Sequence, residues 1–166
     1  LGKLDLESVV EVTQNRLVIA VDSKGEFNEM HTVFQLQDLD RLSIADPSLA
    51  PAGSYAKEAL ITLNLWDKLT PKMIYGSDVR STLAYVQTGN VDAAIVYQTD
   101  VSVGKELIAK DLIPDSTYSF IVYPGASLPG SANKKLGHQY LTFLQGESAL
   151  RSFEKHGFKV AYKQND

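Results

Sequence analysis

The sequence contains no cysteine. Disulfides, thiolate nucleophiles and cysteine-ligated metals are therefore excluded, while the compartment is left open, because exported proteins also do without cysteine. It has no run of basic residues, and its balance of 20 Asp plus Glu against 16 Lys plus Arg is mildly acidic. A nucleic acid or an anionic membrane surface is a poor partner for such a chain. No apolar stretch is long enough to span a bilayer, and the opening residues LGKLDLESVV lack the basic start, apolar core and small-residue cleavage site of an export signal. If the protein is exported, its signal lies outside these residues. There is no internal repeat and no low-complexity segment. Catalytic signatures are missing too: Gly-x-Ser-x-Gly, Walker A and Gly-x-Gly-x-x-Gly are all absent, and His31, His138 and His156 lie too far apart in sequence for metal-ligand spacing. The expectation is a protein that is not an enzyme and holds no metal directly.

What is present is a chain of 166 residues, 44% hydrophobic, enough to bury a core in one domain or two small lobes. Asn15 to Asp22, NRLVIAVD, reads as a strand followed by the loop VDSKGEFNE. Leu42 to Asp46 is a second short strand stopped by Pro47, and a helix from about Gly53 to Leu65 follows, with Ala56, Ala59, Leu60 and Leu63 on one face. KMIYG is a brief strand. A helix beginning at Asp78 sets Val79, Leu83 and Val86 on one stripe and ends at Gly89. DAAIVY and Tyr118 to Pro124 are further strands, and the tail holds two helical patterns, Leu136/Tyr140/Leu144 and Ala149/Leu150/Phe153. Strands and helices alternating at these lengths imply an α/β fold with a mixed, mostly parallel sheet flanked by helices.

In such a sheet a ligand lies beyond the carboxyl ends of the strands, where helix N-termini converge. Two junctions qualify. In ADPSLAPAGSYAK the residues Ala52 and Gly53 at the helix entry carry no side-chain acceptor, so N–H groups are left pointing outward, favourably placed for an anion. Ser54 capping its own helix, or water, would equally satisfy those donors. In YGSDVRSTLAY, Ser77 or Asp78 is a good N-cap ahead of Val79, and an aspartate there competes with any anion for the same donors. Tyr97 ends an apolar strand. It is either a core aromatic or a hydroxyl presented among the two helix starts. Arg80 could neutralise an anion or form an ion pair with Asp78 or Asp100.

Three stretches carry a resemblance. IADPSLAPAGSYAKEAL, SDVRSTLAYVQTGNVDAAIVYQTDV and FLQGESALRSFEKHGFKV resemble, in order and spacing, the periplasmic molybdate-binding protein family of ABC transporters, over about Asn15 to Lys159. The resemblance implies a type II periplasmic-binding fold, two α/β lobes joined by crossover strands that clasp a tetrahedral oxyanion. It implies that Ala52 and Val79 give their backbone N–H, and Tyr97 its hydroxyl, to molybdate or tungstate, with no further cofactor. It implies a membrane permease as partner and an extracytoplasmic location, in the periplasm or as a cell-surface lipoprotein. The family's serine ligands from the first lobe have no counterpart here. The expected organisation is therefore a remnant of the first lobe and crossover at 1–16, the second lobe at 17–123, and C-terminal helices returning to the first lobe at 124–166. Such a stretch should bind oxyanion weakly by itself and could self-associate through helix faces that lack their usual cover. A receptor for another oxyanion such as sulfate, or the ligand-sensing domain of a transcriptional regulator, are the alternatives.

Overall fold

The computed structural model describes residues 4–101 and 106–160. It divides into two compact units, one spanning Arg16–Ser119 and the other combining the residues up to Asn15 with those from Phe120 onward. The first three and last six residues of the expected terminal segments lie outside the described residues.

After β1 (Val10–Asn15), which belongs to the second of these units, the larger unit opens with β2 (Leu17–Asp22). Leu17 to Val21 are all buried, so the unbroken apolar run marks a strand covered on both faces. Each such Leu or Ile contributes roughly 1.5–3 kcal/mol relative to an exposed one. The stretch to the next strand, which the sequence reads as a solvated loop at its start, holds two 3-10 turns, Glu26–Glu29 and Val33–Asp38. Then follow β3 (Leu42–Ala45), α1 (Pro51–Thr62), α2 (Trp66–Leu69), β4 (Met73–Gly76), α3 (Val79–Gln87), β5 (Ala93–Tyr97), α4 (Gln98–Val101) and β6 (Leu107–Lys110). The helix expected from Gly53 starts two residues earlier, with Pro51 at its first position, where a missing N–H is harmless. The chain leaves α3 through Gly89 at φ 68°, as the C-cap reading requires.

The five strands form one sheet in the order β4-β3-β5-β2-β6. β3 is parallel to β4 and β5, whereas β2 is antiparallel to β5 and β6. The sheet is mixed and mostly parallel, as expected: β3, β4, β5 and β6 run in one direction and β2 alone runs against them. The physical reason lies after β2: the connection to β3 has only 3-10 turns and no crossover helix, so nothing obliges β2 to run parallel to its neighbours. Side chains alternate across the sheet. Val18, Ala20, Ala94 and Val96 join Val86 of α3 in one cluster, against which Val79 and Leu83 pack. The intervening Leu17, Ile19 and Ile95 belong to the opposite face. Buried Ala56, Ala59 and Leu60 anchor α1, which lies on β3 and β5.

In the other unit, β1 pairs antiparallel with β7 (Ile121–Gly125), with an irregularity between Glu11 and Thr13. α5 (Lys134–Leu144) and α6 (Glu147–Lys155) follow. Leu141, Ala149 and Leu150 are buried, whereas Leu136, Tyr140 and Phe143 are each more than half exposed. Of the apolar stripe that the sequence places on α5, Leu136 and Tyr140 are thus exposed, while Leu144 is half-buried. Among the described residues no helix is long and apolar enough to cross a membrane.

Candidate functional site

The parallel strands β3, β4 and β5 end at one edge of the sheet. Ala45 pairs with Gly76, the Asp46 amide donates to the Gly76 carbonyl at 2.8 Å, and the Ile44–Ile95 register brings Tyr97 to the level of Asp46. α1 and α3 start from this edge, and Tyr97 terminates the third strand upon it.

The turn from β3 into α1 is tightly bonded. Asp46 Oδ1 accepts the Ser48 amide at 2.8 Å and its hydroxyl at 2.6 Å, and these bonds hold the carboxyl below the usual aspartate range. The Asp46 carbonyl accepts the amides of Leu49 and Ala50, and the Ala50 carbonyl accepts those of Gly53 and Ser54. The Ser54 hydroxyl donates to the Pro47 carbonyl at 2.9 Å and does not cap its own helix. Pro51 has no N–H. The Ala52 amide is left without an acceptor among the described residues, at the positive end of a twelve-residue helix.

At α3, Asp78 is extended (φ −157°) and caps the helix: its Oδ1 accepts the Ser81 amide at 2.8 Å, while Ser81 Oγ accepts the Asp78 amide at 3.2 Å. The bond from the Ser81 amide is the main reason that the Asp78 carboxyl is held low. The competition anticipated between this aspartate and an anion is thereby reduced, because Asp78 reaches the third amide of the helix and leaves that of Val79 without an acceptor among the described residues. The Val79 side chain packs into the core beneath. Arg80 is exposed and forms no ion pair with either Asp78 or Asp100, although its positive charge favours the ionised form of each.

Two glycines fix these helix starts; the sequence reading took Gly53 only as a helix-entry residue without a side-chain acceptor and gave Gly76 no role. A Cβ on Gly53 would stand 2.0 Å from the Ala45 carbonyl oxygen, and one on Gly76 would stand 2.4 Å from Thr82 Oγ1 and 2.9 Å from the Thr82 amide. Each helix is pressed against the end of the strand before it, closer than any side chain permits. The available signal was Gly53 itself, a poor helix former inside a first turn.

Tyr97 is half-buried at the end of β5, on the sheet face it shares with Ile95. Its amide donates to the carboxylate of Asp100 in α4. Burial pushes the Asp100 carboxyl up, and its Oδ2 has no hydrogen-bond partner. The three expected ligand residues therefore share one sheet edge, with two amides lacking acceptors and a phenol among them. Of the histidines, His156 Nδ1 lies 2.7 Å from the Ser152 carbonyl and His138 Nε2 lies 3.3 Å from Ser127 Oγ, both in the other unit. Among the described residues no group of three or more metal-ligating side chains exists. The edge can donate hydrogen bonds to an anion and offers no cluster that would hold a bare cation.

Comparison with known proteins agrees with this architecture. The profile of the bacterial extracellular solute-binding protein family matches residues 1–159, and the chain belongs to that family. It is 36% identical over 157 residues to YvgL of Bacillus subtilis, named as an ABC transporter substrate-binding lipoprotein, covering 95% of this chain and 60% of that protein. It is 33% identical over 151 residues to the molybdate-binding protein ModA of Haemophilus influenzae, covering 88% of this chain and 59% of that one. The chain thus spans about 60% of the length of these curated relatives. Among solved structures, the substrate binding domain named for a molybdenum ABC transporter from Clostridium difficile superposes with a TM-score of 0.88 at 28% identity, covering 96% of this chain and 69% of that one. The type II periplasmic-binding fold is shown by that match and by the Azotobacter vinelandii periplasmic molybdate-binding protein, with a TM-score of 0.72 at 19% identity.

Proposed function

We propose that this member of the bacterial extracellular solute-binding protein family forms one side of the oxyanion site in the receptor of an ABC-type molybdate or tungstate uptake transporter. The Ala52 and Val79 amides and the Tyr97 hydroxyl are the donors. The observation that carries this reading is that both amides lack an acceptor at the same sheet edge, while the amides and carbonyls around them are bonded. The relatives' names point to the same ligand.

Molybdate and tungstate are fully deprotonated dianions at neutral pH, so their site requires donors and no acceptor. A hydrogen bond to a charged group contributes roughly 1.5–3 kcal/mol net, and three give about 5–9 kcal/mol before the cost of association. Micromolar binding needs about 8 kcal/mol after that cost, so tight capture requires donors beyond these three. The receptor works outside the cytoplasm, and the ligand-closed form is what the membrane permease recognises. Its role is capture and delivery, not chemical conversion.

The test is calorimetric titration of the full-length gene product with molybdate, tungstate, sulfate and phosphate. Molybdate and tungstate are expected to bind at least about a hundredfold more tightly than sulfate, a difference of about 2.7 kcal/mol. Absence of molybdate binding overturns the proposal, and preferential sulfate binding reassigns the receptor.

A further inference from the structure

The only buried polar side-chain atom without a hydrogen-bond partner among the described residues is Asp100 Oδ2. It stands three residues beyond Tyr97, in the short helix α4 that continues directly from β5. A carboxylate beside an anion site is electrostatically unfavourable, and a partly desolvated one is costly in itself. Its position calls for a local reason. Two groups engage it: the Tyr97 amide donates to it, and the positive charge of Arg80, next to Val79 in α3, acts on it from beyond ion-pair distance.

Tyr97 is the last residue of β5. Leu17 and Tyr97 face each other at the end of the ladder, and the bond closing it comes from the next residue, the Gln98 amide to the Arg16 carbonyl at 3.0 Å. The Asp100 acceptor in α4 adds a hold on the backbone from which the phenol projects, at the end of that ladder. We propose that Asp100 is a positioning residue for the oxyanion site, holding the end of β5 so that the Tyr97 hydroxyl meets the ligand alongside the first turn of α3. This inference rests on the functional reading above. It assigns Asp100 no contact with the ligand.

A double-mutant cycle tests it, read by calorimetric titration of sodium molybdate into the full-length gene product, with melting temperature as the control for folding. Asp100→Ala is expected to weaken binding about tenfold in the otherwise unaltered protein and less than about twofold when combined with Tyr97→Phe, because the hydroxyl it positions is then gone. Asp100→Asn, which keeps an oxygen acceptor for the Tyr97 amide, is expected to recover most of the loss. If Asp100→Ala does not fold, Asp100→Glu enters the same cycle, since the extra methylene displaces the acceptor while keeping the charge. Equal losses with and without the Tyr97 hydroxyl show a general structural effect and overturn the inference, as does unaltered binding in Asp100→Ala. A parent protein that binds no molybdate overturns the functional reading and this inference with it, whereas a parent that binds normally confines any failure to Asp100.

Discussion

The carbonyl oxygen of Ala45 lies 2.0 Å from the point a Cβ of residue 53 would occupy, so the first turn of α1 rests directly on the last residue of β3. Gly53→Ala must push the helix start away from the strand. Overpacking against backbone costs about 2–3 kcal/mol, and for a protein of this size the melting temperature should fall by about 5–10 °C. Molybdate affinity should fall with it, because the Ala52 amide moves with that turn. A variant with unchanged melting and binding would show that the turn relaxes freely.

Val79→Pro removes one proposed donor while leaving the helix able to form. Val79 is the first residue of α3, where proline is favoured, and Asp78 before it is already extended, as a residue preceding proline prefers. Folding should survive and binding should weaken about tenfold, the worth of one hydrogen bond to a charged group. Tyr97→Phe should have a similar effect. Dissociation constants from calorimetry decide both, and an unchanged value for either variant removes that donor from the site.

Asp78 sets an acid limit on α3. Its carboxyl is held below the ordinary 3.8, chiefly by the Ser81 amide. The stability it adds is complete above the unfolded value and is lost as pH falls through the lower folded value. Melting temperature measured from pH 6 downward should therefore drop more steeply below pH 4 in the parent protein than in Asp78→Asn, which caps the helix without titrating. Parallel curves would assign the acid limb to other carboxyls.

Tyr118 closes a buried polar link inside the larger unit. Its hydroxyl accepts the Leu17 amide at 3.1 Å and donates to Asp115 Oδ1 at 2.9 Å, and burial is the main reason its phenol is pushed well above the ordinary range. Tyr118→Phe strands the Leu17 amide without an acceptor. The expected loss is about 2 kcal/mol, or roughly 4–8 °C in melting temperature. Ultraviolet titration should show one tyrosine fewer among those that ionise only in strong alkali.

Much of this was legible in the residues. The apolar run Leu17–Val21, the stripe Val79/Leu83/Val86 and the stop at Gly89 follow from local periodicity and turn chemistry, and local signals suffice for them. The order of the sheet does not, because β2 chooses partners far along the chain and no neighbouring residue records the choice. The start of α1 was misjudged because glycine reads as a residue before a helix, while at position 53 it is the one side chain small enough to lie inside the turn. Spacing could not tell whether the Ser54 hydroxyl would serve its own helix or Pro47. Nor could it show that Arg80 pairs with neither aspartate, or that Asp100 is joined to the Tyr97 amide.

The placement of β2 also governs the order in which the sheet can be assembled. Leu17 pairs with Tyr97, some 80 positions later, and the other edge of β2 waits for β6. At translation rates of about 5–20 residues per second, this strand emerges roughly 4–16 s before its first partner exists. The most apolar segment of the unit is thus made early and paired late. Its long-range contacts make slow folding the expected regime.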